Sequence, residues 1–249
     1  MGEVMTGEVM VHAAGSLRGA LSEAADVWQA SQPRARVRLT FGASGLLKDR
    51  LLAGEHADVF ASANMEHPQA LADAGRAAAP RAFAQNRLCA LATPQFDATR
   101  ETLVARLLDP TVRVATSTPK ADPAGDYAFA MFERIERIGH PGAFKLLAEK
   151  ALQLTGGPNS PPPPADRNVY GALMAAGRAD VFITYCTNAV IAQREVPTLR
   201  RIDVPDDVSV SATYGVSVLA GAEGGARFVE FLLGPQGQAV LAKHGFAPP

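Results

Sequence analysis

The chain has 249 residues, 47% of them hydrophobic and 20% charged, with a formal net charge of −1. At roughly 150 residues per domain, this length accommodates two compact units, each large enough to bury a core. A near-zero charge with no block of like charges argues against a nucleic-acid partner, which needs a concentrated Lys/Arg surface. No apolar run approaches the roughly 20 residues that span a bilayer.

The first ten residues carry Gly-Glu-Val-Met twice and lack the basic and apolar regions of a secretory leader, so an exported form would need a leader that is missing here. Val9–Ala14 reads as a strand, broken by Gly15-Ser16, and Leu17, Ala20, Leu21, Ala24, Ala25 and Trp28 then form one apolar helix face. Ser16 stands where a short hydroxyl suits an N-cap. The unit repeats: Val37–Phe41 alternates as a strand, Gly42-Ala43-Ser44-Gly45 punctuates it, and Leu46-Leu47-Lys-Asp-Arg-Leu51-Leu52 begins a helix. Ala57–Ala63 predicts a third strand and Met65–Ala74 a helix closed by Gly75.

Arg87–Ala92 predicts another strand, the stretch around Glu101–Leu108 a helix, and Val112–Ala115 a strand. Thr116–Ala124 is a polar loop containing Lys120, and Asp122-Pro123 matches an N-cap with proline at the first helical position of a helix reaching about Ile138. Leu154–Ala165, with Gly156-Gly157-Pro158 and four consecutive prolines, can be neither helix nor central strand. A cap-like start at Asp166–Asn168 leads into a helix from Val169. Val181–Tyr185 is a strand with a helix behind it, Tyr214–Leu219 a last strand, and Phe228–His244 a closing helix. Strands alternating with helices predict an α/β fold.

Catalytic signatures are thin. Gly42-Ala-Ser44-Gly-Leu46 lacks the last glycine of a nucleophile elbow, and neither a dinucleotide fingerprint nor a phosphate loop occurs. The histidines at 12, 56, 67, 140 and 244 are scattered singly, which suits surface or core positions better than a metal site. Cys89 and Cys186 have no metal or redox spacing. They permit one disulfide in an oxidising compartment, and two small buried apolar residues is the simpler expectation. No catalytic residue, resident metal or cofactor is expected.

The recurring feature is a helix start built of small residues: Ser16, Ser44, Asp122-Pro-Ala124-Gly125 and Asn168-Val169. Such starts present free N–H groups and the positive end of the helix dipole to an anion. Serine hydroxyls and the Tyr185 phenol would add donors without adding charge. A cage of neutral donors suits a fully deprotonated oxyanion, whereas each serine taken alone suits plain capping.

These residues resemble the periplasmic molybdate-binding proteins of bacterial ABC transporters, from about Val9 to Phe246. The resemblance rests on His12-Ala-Ala-Gly-Ser16-Leu, Phe41-Gly-Ala-Ser44-Gly, Gly54–Ala63, Pro123-Ala-Gly-Asp-Tyr127-Ala, Asn168-Val-Tyr-Gly-Ala-Leu, Val181-Phe-Ile-Thr-Tyr185 and Leu233-Gly-Pro-Gln-Gly-Gln…Gly245-Phe246. It implies a two-lobed architecture of the type II-like kind, with residues 1–84 and 209–249 in one lobe and 85–208 in the other, and the ligand in the interlobe cleft. It also implies a ligand set: Ser16 and Ser44 from the first lobe, Ala124 and Val169 through their N–H groups and Tyr185 through its phenol from the second. The expected ligand is molybdate or tungstate, the expected partner an ABC membrane permease, the location periplasmic and the state monomeric. A receptor or sensor domain of the same design for another small anion, sulfate-like or organic, is the alternative. Lys120, four residues before Ala124, would break the neutral pattern unless it is a solvated loop lysine.

Overall fold

A computed structural model describes residues 7–164 and 167–249. The chain divides into two compact units, the first comprising residues up to Asn86 together with Ala212–Pro249, the second Arg87–Ser211.

In the first unit, β1 (Gly7–Ala14) lies between β2 (Ala35–Gly42) and β3 (Val59–Ser62), parallel to both, and β9 (Ser211–Val218) runs antiparallel to β3. Val9, Val11 and Ala13 point to an interior with no exposure, and each large apolar side chain so buried contributes roughly 1.5–3 kcal/mol. The helix α1 (Arg18–Ser31) buries the predicted stripe Ala20, Leu21, Ala24, Ala25 and Trp28, with Trp28 edge-on to Phe228 at 5.3 Å. α2 (Ser44–Leu52) and α3 (Glu66–Asp73) follow β2 and β3, and Gly75, at φ 68°, turns the chain just after α3.

The predicted closing helix is two helices, α9 (Glu223–Leu233) and α10 (Pro235–Lys243). Gly234 is extended between them, because Pro235 disfavours helical backbone before it and cannot supply an N–H to continue the ladder.

In the second unit the strand order is β8-β4-β7-β5-β6, formed by β4 (Arg81–Ala92, through its second half), β5 (Val114–Ser117), β6 (Leu152–Thr155), β7 (Val181–Tyr185) and β8 (Arg200–Asp203). β5, β6 and β7 are parallel, whereas β4 runs antiparallel to β7 and β8. Its helices are α4 (Leu103–Leu108), α5 (Pro123–Arg137), α6 (Ala143–Lys150), α7 (Val169–Ala175) and α8 (Cys186–Glu195).

α6, β6 and β8 have no counterpart in the sequence reading. Both strands lie at the sheet edges and are largely exposed, so neither carries the apolar run that marks the equally short but fully buried β3 and β5. Leu154 and Thr155, taken with the irregular Gly/Pro segment, are part of edge strand β6. The cap-like start holds at Asn168, whose side chain accepts from the Gly171 N–H at 3.0 Å, while Asp166 lies outside the described residues.

The cysteines are a second correction. Cys89 on β4 and Cys186 at the start of α8 form a disulfide with Cα atoms 4.8 Å apart. Sequence placed them 97 residues apart, and the antiparallel β4–β7 register that pairs Leu88 with Tyr185 is what makes them neighbours.

Candidate functional site

In the first unit, β1 and β2 are in register to their ends, Ala14 opposite Gly42, so the two strand-to-helix turns lie side by side at one edge of the sheet. In open α/β sheets this carboxyl edge of parallel strands is where ligands bind. Ser16 and Ser44 stand on these turns. Ser16 does not cap α1: it lies within a 3-10 turn, Gly15–Leu17, and its hydroxyl is 2.9 Å from the Tyr214 phenol. The expected cap fails because the added turn moves the start of α1 to Arg18. Ser44 is the first residue of α2, is buried, and accepts the Ala63 N–H at 3.2 Å. That bond uses an acceptor site of the hydroxyl and leaves its proton to be given to another group.

His12, two residues before the end of β1, is buried and 2.8 Å from Glu55, which Arg50 and then His12 hold down at about 2. It is a core histidine paired through one ring nitrogen, while its buried Nδ1 has no hydrogen-bond partner among the described residues.

In the second unit, the corresponding edge carries the ends of β5 and β7. Asp122 caps α5 as predicted, accepting from the Ala124 N–H at 3.1 Å with Pro123 at the first helical position. Gly125 is required here: a Cβ on it would come within 2.6 Å of Ser117 O, Thr118 C and Pro119 N. Val169 opens α7, and Tyr185 ends β7, buried and edge-on to Tyr127 with ring centres 6.3 Å apart.

Tyr170, which the sequence reading passed over, ties these pieces together. Its hydroxyl is 3.4 Å from the Ser117 hydroxyl at the end of β5, its ring is edge-on to Phe182 of β7 at 5.0 Å, and it immediately follows Val169. Burial, with the Asp122 charge second, pushes its phenol far up.

Asp122 changes the electrostatics that sequence suggested. Burial, reinforced by Asp126, raises its carboxyl to about 6 against the pull of the bonds from Ala124 N–H and Ser117. The second unit's edge therefore offers a titrating acid beside its N–H donors rather than neutral donors alone. The odd Gly156-Gly157 pair belongs to this feature, since a Cβ at Gly156 would come within 2.6 Å of the Asp122 side chain and one at Gly157 within 2.7 Å of Thr118 Oγ1. Lys120 is exposed and left-handed (φ 68°), its N–H bonded to Asp126 at 2.7 Å, which fits the loop-lysine reading.

Residues 9–247 match the family model for bacterial extracellular solute-binding proteins. The chain belongs to that family. It is 39% identical to the uncharacterised protein PM1146 of Pasteurella multocida, over 95% of this chain and 97% of that one. It is 26% identical to the molybdate-binding protein ModA of Mycobacterium bovis, over 97% and 85% respectively. Among solved structures it is similar to the sulfate-binding protein SubI of Mycobacterium tuberculosis, with a TM-score of 0.82 at 17% identity over 98% of this chain and 87% of that one. Members of this family are binding proteins rather than enzymes, and no helix among the described residues is long and apolar enough to cross a membrane.

Proposed function

We propose that the chain is the periplasmic, monomeric solute-binding component of an ABC importer for a tetrahedral oxyanion, with molybdate and tungstate the first candidates. The observation that carries the reading is the pair of serines on adjacent parallel-strand ends, Ser44 having an acceptor site filled by Ala63 N–H and a proton left to give. In this reading Ser16 and Ser44 from the first unit, and Val169, Tyr185 and Ala124 from the second, surround one anion, which shares the Ala124 N–H with its Asp122 cap. Closure of the two units removes water and strengthens each charge-assisted bond. A membrane permease then recognises the closed form. The identity to ModA supports the choice of anion.

Asp122 favours a second reading, a receptor for an anion that carries its own proton, such as a phosphate monoester or another organic acid. A carboxylate accepts that proton but repels a bare dianion. A thermal-shift and calorimetry panel of molybdate, tungstate, sulfate, phosphate and small organic anions separates the two. A ligand that binds only the folded state, at 100 times its dissociation constant, adds about 2.7 kcal/mol. A raised melting temperature with molybdate and tungstate, lost in Ser44→Ala, supports the first reading. Shifts only with phosphate or organic anions replace it with the second.

A further inference from the structure

Tyr214 lies on β9 with its ring fully buried, edge-on to Phe83 at 6.3 Å and to Phe246 at 5.4 Å. A phenylalanine would satisfy that packing. What a phenylalanine lacks is the hydroxyl, which is 2.9 Å from Ser16 Oγ and accepts the side-chain amide of the buried Asn86 at 3.3 Å. A hydroxyl taken this deep costs stability unless it is hydrogen-bonded, so its presence in an aromatic cluster calls for a role.

The direction of the bonds follows from the chemistry of the groups. Asn86 Nδ2 can only donate, and the phenol receives it. Of the two hydroxyls, the phenol is the more acidic and so the stronger donor, and accepting from Asn86 polarises its O–H further. Hydrogens therefore run from Asn86 to Tyr214 and from Tyr214 to Ser16 Oγ. The Ser16 proton remains for a group on the open side of that half-buried side chain. Reversed, the bond would consume the only proton of Ser16 and leave its lone pairs facing an anion. Ser44 reaches the same state by another route, with Ala63 N–H in place of a phenol.

We propose that Tyr214, backed by Asn86, is a positioning residue that holds the Ser16 hydroxyl as a donor toward the bound oxyanion. This rests on the oxyanion reading of the preceding subsection. Tyr214 does not touch the ligand; it decides which way the Ser16 proton points, so that Ser16 faces the ligand as a donor, as Ser44 does through its bond from Ala63 N–H.

Calorimetric titration with molybdate and with tungstate of the wild type, Tyr214→Phe, Ser16→Ala and the double variant tests it, with the melting temperature of each unliganded protein as control. Tyr214→Phe is expected to weaken binding about tenfold. Ser16→Ala weakens it at least as much, and the double variant no further than Ser16→Ala alone. Asn86→Ala gives a smaller loss that vanishes in the Ser16→Ala background, and this pair carries the same cycle should Tyr214→Phe fail to fold. Additive losses overturn the proposal, as does a Tyr214→Phe variant that melts earlier yet binds unchanged, since a purely structural phenol gives that result. A wild type that binds neither anion removes the oxyanion reading and the relay with it. A wild type that binds, with additive losses, removes the relay alone.

Discussion

Asp122 allows a pH dependence to be worked from the structure. Its carboxyl titrates near 6, about two units above an ordinary aspartate, which corresponds to about 3 kcal/mol of preference for the neutral form. Because the folded value is raised, the stability it confers is fully present below the unfolded value near 4. It is lost as pH rises through about 6, and absent at pH 8. The groups that face it are Asp126, which pushes it up, Ser117 and Ala124 N–H, which pull it down, and the un-ionised Tyr170.

A dianion held at α5 and roughly 5 Å from an ionised Asp122 would meet about 6–7 kcal/mol of repulsion at an effective dielectric of about 20. Protonating Asp122 at pH 7.5 costs only about 2 kcal/mol. Binding should therefore take up a proton. Molybdate affinity is expected to be level below about pH 6 and to fall tenfold per unit above it, about fifty-fold between pH 6 and 8. Calorimetry across pH 5.5–8.5, in buffers of different ionisation enthalpy, reads both the slope and the proton. Asp122→Asn keeps a capping acceptor on the Ala124 N–H and should bind with no slope, while being more stable than wild type at pH 8. A wild-type affinity constant over this range, or a slope that survives in Asp122→Asn, refutes the reasoning.

Two further outcomes follow from the second unit. Gly125→Ala forces a Cβ against the backbone of Ser117, Thr118 and Pro119, so it should cost about 1–3 kcal/mol or more in a denaturant titration and abolish oxyanion binding by displacing the start of α5. Removing the disulfide by Cys89→Ala with Cys186→Ala frees a 97-residue loop in the unfolded chain; loop-closure entropy sets the loss at about 4–5 kcal/mol, seen as a lower denaturant midpoint. An unchanged midpoint would show that the bridge does not constrain the unfolded chain.

The legible parts of the fold were those with strong local signals. The stripe from Leu17 to Trp28 reports a helix because apolar spacings of three and four leave no other regular choice, and Asp122-Pro123 and Asn168 mark helix starts because capping is satisfied within three residues of chain. The break at Gly234-Pro235 was equally local, yet the apolar pattern continues across it and hid it. The strands β6 and β8 stayed invisible because, half exposed at the sheet edges, they carry no apolar run like that of the equally short β3 and β5, and their place is given by the neighbours they pair with.

For the candidate site, sequence by itself determined the chemistry on offer: small-residue helix starts, two serines beside glycine, a tyrosine at a strand end, and no catalytic signature. These are properties of residue types in local order. Only the tertiary structure decided what each group does. It set Ser44 to accept from Ala63, Ser16 to meet a tyrosine 198 residues away, Cys89 to bridge Cys186, and Asp122 to lose enough water to titrate near 6. Each of these depends on which distant segment packs alongside and how much water it removes, and neither is encoded within the few residues that surround the group.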